Sequence, residues 1–161
     1  MQIQPYHPSA LAQAQLVDLI NYCQNTEAHL AIKMAEQADI FAIPQVYQQS
    51  GGDFWVAQDD QQIVGCIALL PLDAHTGVLK KFFTYPPYRG QPVRLGAQLF
   101  DQLLNFARRH DFTRLVLDTP AAETRSHTFY EHHGFRRITA SELAVAYSYP
   151  DRHSWLYELQ L

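Results

Sequence analysis

The sequence predicts a mixed α/β (α+β) fold, with a central mixed sheet and helices on both faces. Three observations carry this. Extended and helical segments follow the order β, α, α, three β, α, β, α, β, β. A β-like run, Val78 to Thr84, passes through a short glycine-bearing loop straight into an amphipathic helix starting near Leu95. At the end of the chain Trp155, Tyr157, Leu159 and Leu161 alternate with Leu156, Glu158 and Gln160, the period of a strand with two different faces.

Met1 to Tyr6 is a short strand, ended by His7-Pro8. Ser9 then offers an N-cap for a helix to about Tyr22, with Leu11, Leu16, Leu19 and Ile20 as its apolar side. Asn25-Thr26 breaks the pattern, and residues 27–48 form a second, irregular helical region, bent or ended before Pro44. Gly51-Gly52 marks a turn. Phe54–Gln58 and Gln61–Leu70 form a hairpin around Asp59-Asp60, and Val78–Thr84 is the third strand of this group. In the next helix, from about Leu95 to His110, Leu99, Leu103, Phe106 and Ala107 recur at helical spacing; Arg108, Arg109 and His110 suit its C-terminal dipole. Arg114–Asp118 is a buried strand by its Leu115-Val116-Leu117 core. A helix from about Glu123 to His133 follows, with Gly134 as C-cap. Phe135–Ile138 is extended, and two last strands cover about 143–149 and 154–161, with Pro150-Asp151-Arg152 as their turn.

The 161 residues suit one domain, 1–161, with a real core. A formal charge of −4 argues against a general nucleic-acid surface. Cys23 and Cys66 have no metal-ligand spacing, and His132-His133 point about 100° apart on a helix, a poor chelating pair, so no metal is expected. The N-terminus lacks a secretion signal's basic and apolar regions, and no apolar run is long enough for a membrane span. A cytoplasmic protein with reduced thiols is the expectation.

Residues 88–100 hold the strongest functional clue. A strand, a loop and a helix N-terminus make an anion site from backbone alone, because first-turn amides lack partners and the dipole favours negative charge. Gln91, Leu95 and Gly96 match the acyl-CoA loop of the GCN5-related N-acetyltransferases, whose pattern is Gln or Arg, two residues, Gly, one residue, Gly or Ala; Arg94 stands where that pattern has its first glycine. Pro-Pro-Tyr-Arg-Gly (residues 86–90) resembles the family's approach to the loop, and Phe129-Tyr130-Glu131-His132-His133-Gly134-Phe135 resembles its "tyrosine, three residues, Gly-Phe" block. The resemblance spans about residues 53–138.

The resemblance implies a mostly antiparallel sheet and acetyl transfer from acetyl-CoA to a primary amine of a small molecule or peptide. It places the pantetheine arm along the backbone of Phe82, Phe83 and Thr84, and the pyrophosphate on the loop at Gln91, Val93, Arg94, Leu95, Gly96 and Ala97. Arg94 either faces a phosphate or crowds the close approach that glycine permits. Tyr130 is the candidate acid toward the departing thiolate, and Asp118 either takes the ammonium proton or caps the next turn. Many relatives carry a glutamate where Val78 stands, so that base is missing. Tyr22, Glu27, Glu36, Asp39, Phe41 and Tyr47 offer acidic and aromatic groups for a cationic acceptor, a pattern that solvated helix faces share. The resemblance also allows a homodimer. The rival is a non-catalytic acyl-CoA-binding module, supported by Pro92, Arg94 and Val78.

Overall fold

The computed structural model describes all of residues 1–161. Its strands are β1 (Gln2–Pro5), β2 (Asp53–Asp59), β3 (Gln62–Pro71), β4 (Thr76–Thr84), β5 (Arg114–Thr119), β6 (Arg136–Ile138) and β7 (Trp155–Gln160). They form one sheet in the order β1-β2-β3-β4-β5-β7-β6. Every neighbouring pair is antiparallel except β4 and β5. The predicted mixed, mostly antiparallel sheet is therefore present.

Period-two alternation gives this sheet two apolar faces, each covered by helix. On one, Trp55, Ile67, Leu79, Leu115 and Leu117 pack under α2 (Leu95–Arg109) and α3 (Thr124–His132). On the other, Phe54, Val56, Cys66 and Ala68 pack under α1 (Ala10–Asn21) and the turns that follow it. Gly65 sets the depth of α2: a Cβ there would lie 2.9 Å from Leu95 Cδ2 and 3.0 Å from Leu99 Cδ1, so only glycine lets the helix sit this close. Ser9 caps α1, its Oγ accepting from the Ala12 amide at 3.1 Å. On β7, Trp155 lies between two partners: the His127 ring stacks at 4.2 Å and the Arg137 guanidinium sits 3.4 Å from the ring centroid.

Three segments differ from expectation. The hairpin tip is Asp60-Gln61 rather than Asp59-Asp60; both tip residues have positive φ, the twist that two-residue hairpins favour. Asn25-Thr26 does not break the first helical segment, which widens into a π-type turn over Tyr22–Glu27. The chain then passes through His29 and Ala31, both at φ 54, before a kinked 3-10 segment, Met34–Phe41, and a turn at Pro44–Gln48. Left-handed residues cannot continue a helix, so two short pieces, Met34–Phe41 and Pro44–Gln48, replace the predicted region. Finally, residues 143–149 form no strand. Their burial does alternate, yet they lie outside every ladder: both edges of β7 are taken by β5 and β6. The alternation there reports one-sided burial rather than hydrogen-bonded pairing.

Candidate active site

β4 and β5 run side by side for three register pairs, Thr76↔Arg114 to Val78↔Val116, and then part. The cause lies in β4. Ala68 of β3 faces Lys80 and Cys66 faces Phe83, so Ile67 opposes both Lys81 and Phe82, and Lys81 takes φ 52. Such a bulge bends its strand and tightens the twist, turning the second half of β4 away from β5. From Leu79 onward that edge of β4 has no strand partner. The wedge is a cavity of about 530 Å³. One wall is the stretch from Gly90 to Ala97 with Ser126 and Phe129 of α3; the other is the segment from Cys23 to Asp39 with Arg89, Arg125 and part of the loop before β7.

The first wall is built from backbone. Arg94 is the N-cap of α2 at φ 50 and ψ 42, and its side chain makes no capping bond. Glycine enters this conformation freely, whereas an L-residue does so at a cost of roughly 1 kcal/mol. The backbone thus keeps a glycine's shape under an exposed arginine. The amides of Leu95, Gly96 and Ala97 meet no acceptor in the protein. Arg94, Gly96 and Ala97 line the cavity, as do Phe82, Phe83 and Thr84. Three other loop residues do not: the Leu95 side chain is sealed in the core, Val93 packs against it, and Gln91 is exposed. Gly96 has room for a Cβ, the nearest atoms being Phe82 Cζ at 3.6 Å and Phe129 Cε2 at 3.7 Å.

Tyr130 and Asp118 stand where the walls meet. Tyr130 packs between Phe82, Phe129, Phe135 and Tyr157. It lines the cavity. Burial pushes its phenol far above the usual value, so it stays protonated and able to donate. Asp118, at the diverging end of β5, also lines the cavity and accepts a hydrogen bond from Tyr147 Oη at 3.0 Å. Burial raises its carboxyl, against the lowering effect of the Tyr147 bond and of Lys80.

The second wall is built from ion pairs. Arg89 grips Glu27 with two hydrogen bonds, Nη1 to Oε1 at 2.5 Å and Nη2 to Oε2 at 2.8 Å, and Arg125 approaches the same carboxylate at 3.4 Å. The Arg89 hydrogen bonds hold the Glu27 carboxyl well below the ordinary 4.5, at about 2. Arg89 Nε also donates to the Thr84 carbonyl at 2.9 Å, tying this wall to the end of β4. Arg152 pairs with Glu36 at 3.1 Å, and Lys81 pairs with Asp39 at 3.3 Å. Asp39 is held in turn by Tyr47 Oη at 2.5 Å, and Lys81 Nζ also donates to Gln37 Oε1 at 3.2 Å.

Glu27, Glu36 and Asp39 therefore line the cavity, but as partners of the protein's own cations and not as free acids awaiting a cationic ligand. Of the other residues expected beside them, Tyr47 is fully buried, Phe41 is exposed, and Tyr22 packs at a tilt against Tyr85, ring centroids 5.3 Å apart. Sequence reasoning missed the counter-ions Lys81, Arg125 and Arg152, and Tyr147. Only Arg89 carried a local signal, as part of Pro-Pro-Tyr-Arg-Gly.

Solved structures similar to this one include acetyltransferases. The chain is 57% identical to an acetyltransferase from Streptococcus agalactiae 2603 of known crystal structure, at a TM-score of 0.97 over 99% of this chain and 98% of that one. A GNAT-family acetyltransferase from Staphylococcus aureus Mu50 is 27% identical, with a TM-score of 0.89 and 99% of each chain covered. Human N-acetylaspartate synthetase is 29% identical over 136 residues, which is 83% of this chain and 44% of that protein, so the chain spans about half the length of such relatives. The model of the acetyltransferase (GNAT) family matches residues 18–135, most of the chain, and the protein belongs to that family.

Proposed function

We propose that residues 1–161 act as one acyltransferase domain that moves an acetyl group from acetyl-CoA directly to a primary amine of a small molecule or peptide. One observation carries this: a wedge whose unpaired β4 edge runs from an uncapped helix N-terminus to a buried phenol and a half-buried carboxylate. A pyrophosphate suits the free amides of Leu95, Gly96 and Ala97, and Arg94 stands beside them for a phosphate. An extended amide-bearing arm suits the free edge of β4 from Leu79 to Thr84.

Acetyl-CoA supplies the activated acyl group; the chain supplies proton handling and position. Asp118 takes a proton from the acceptor's ammonium, freeing the nitrogen lone pair for attack on the acyl carbon. Its raised pKa moves it toward the range where a carboxylate is a useful base. As the carbon–sulfur bond breaks, Tyr130 gives its hydroxyl proton to the sulfur, and the surplus proton on nitrogen returns through solvent to the phenolate. Transfer is direct, because no nucleophile–base pair lines the cavity. The two buried free thiols, Cys23 and Cys66, favour a reducing cytoplasm.

Calorimetric titration with acetyl-CoA, with ATP and NADH as controls, tests the donor half; CoA release on adding amines tests the acceptor half. Micromolar, selective binding followed by thiol release is expected. No binding would overturn the reading. Binding with no turnover on any amine would leave the binding-only module, which the apolar Val78 favours.

A further inference from the structure

The acceptor wall carries one cation with no protein partner. β4 and β5 pair in parallel at Val78↔Val116, so strand periodicity puts Lys80 and Asp118 two residues on, upon the same face, where the strands begin to part. Leu79, Leu115 and Leu117 point the other way, into the core under α2. The bulge then breaks the alternation. Lys81 follows Lys80 onto the same face, where its Nζ meets Asp39 and Gln37, while Phe82 packs on Phe129 across the sheet. Two adjacent lysines thus face the point where the acceptor must deliver its nitrogen.

Charge accounting separates the two. Lys81 is paired with Asp39, Arg89 and Arg125 with Glu27, and Arg152 with Glu36. Arg94 belongs to the phosphate end, on the other wall. Lys80 is half-buried, lines the cavity and has no carboxylate within 4 Å. The remaining acids are Asp118, which is held by Tyr147, and Glu123, at the start of α3. A purely cationic acceptor would bring its ammonium up to the unpaired ammonium of Lys80. An acceptor with a carboxylate beside its amine would match the lining, with the carboxylate on Lys80 and the nitrogen toward Asp118.

On the acyl-transfer reading of this cavity, we propose that the acceptor is an amine that also bears a carboxylate, of the amino-acid type, and that Lys80 is the residue that binds that carboxylate. Lys81, already paired with Asp39, is not available to that carboxylate.

CoA release with matched acceptors tests this: free amino acids, the primary amides of the same amino acids, and diamines without a carboxylate. The wild-type protein should prefer a free acid over its amide by about tenfold or more in kcat/KM. Lys80→Gln should raise KM for the free acid by about tenfold and lower kcat/KM for the free acid about tenfold more than for the amide, with the affinity for acetyl-CoA unchanged. Lys80→Arg should recover most of the preference. Preference for diamines or amides would overturn the inference and leave acyl transfer standing. Equal losses on acid and amide in Lys80→Gln would also overturn it, assigning Lys80 to the tuning of Asp118. Acetyl-CoA binding without turnover on any class would remove the acyl-transfer reading and this inference with it.

Discussion

The two walls of the wedge are made of different materials. The donor wall comes from two nearby stretches, the β4 edge at Phe82–Thr84 and the loop from Gly90 to Ala97, and it offers backbone: a bent strand edge and three helix-terminal amides. The acceptor wall is a mosaic of side chains from distant places. Arg89 reaches back 62 residues to Glu27, and Arg152 reaches back 116 residues to Glu36. Backbone recognition tolerates changes of side chain so long as the chain keeps its path. A wall of ion pairs tolerates almost none, because loss of one member strands a charge in partly buried surroundings. Donor chemistry is therefore constrained by shape, and acceptor chemistry by charge.

Mutations at the junction and in each wall test this contrast, the largest effect first. Tyr130 serves the reaction and neither binding wall, so Tyr130→Phe should lower kcat about 100-fold and leave the acetyl-CoA Kd unchanged. Unaltered turnover would remove the phenol from the mechanism. On the acceptor side, Glu27→Gln should destabilise the protein at neutral pH by an amount on the order of 2 kcal/mol, read by chemical denaturation. The folded Glu27 carboxyl sits at about 2 against an ordinary 4.5, so its stabilisation is full above pH 4.5 and drains away as the pH falls toward 2. The variant's stability should accordingly vary less across that window than the wild type's. Parallel pH curves for the two proteins would show that the Arg89 pair contributes nothing.

The donor wall should answer to bulk. Gly96→Ala should bind acetyl-CoA normally, since the added Cβ meets only ordinary contacts, whereas Gly96→Leu should weaken binding by roughly tenfold or more. Equal affinity in both would mean the donor does not pass over this turn. The smallest effect belongs to Arg94→Gly. Relief of the left-handed strain and the freer unfolded chain oppose each other, so stability should change by less than about 1 kcal/mol. Affinity for acetyl-CoA should fall only a few-fold, with most of the loss removed by high salt, as expected of a solvent-exposed charge. A loss that salt does not touch would assign Arg94 a shaping role in place of a phosphate contact.

The same contrast explains what could be read from the chain beforehand. Helix and strand placement was legible wherever one period ran uninterrupted, as in α2 with Leu99, Leu103 and Ala107 buried in register. The donor loop was legible because its parts adjoin in sequence. The acceptor wall was not, because Glu27, Glu36 and Asp39 look the same in sequence whether they face water or an arginine. Their counter-ions come from β4, from the loop after it, from α3 and from the loop before β7. Residues 143–149 misled for a related reason: alternation marks which side is covered and is silent on whether a neighbouring strand exists. The β4 bulge left no mark at all, since Lys80-Lys81-Phe82-Phe83 is an ordinary strand sequence.

The stack around Trp155 gives the molecule an optical signal of its own. The chain has two tryptophans. Trp55 is sealed in the core against Phe106, at 1% exposure, and its surroundings are fixed. Trp155 is half-buried between His127 and Arg137, and its neighbours in sequence and on α3, Ser154 and Ser126, line the cavity. Any shift of α3 or of the loop before β7 would change the stacking partner and the charge beside that indole. Intrinsic emission at one ring would then report filling of the wedge, with the other ring as an internal standard and no added dye.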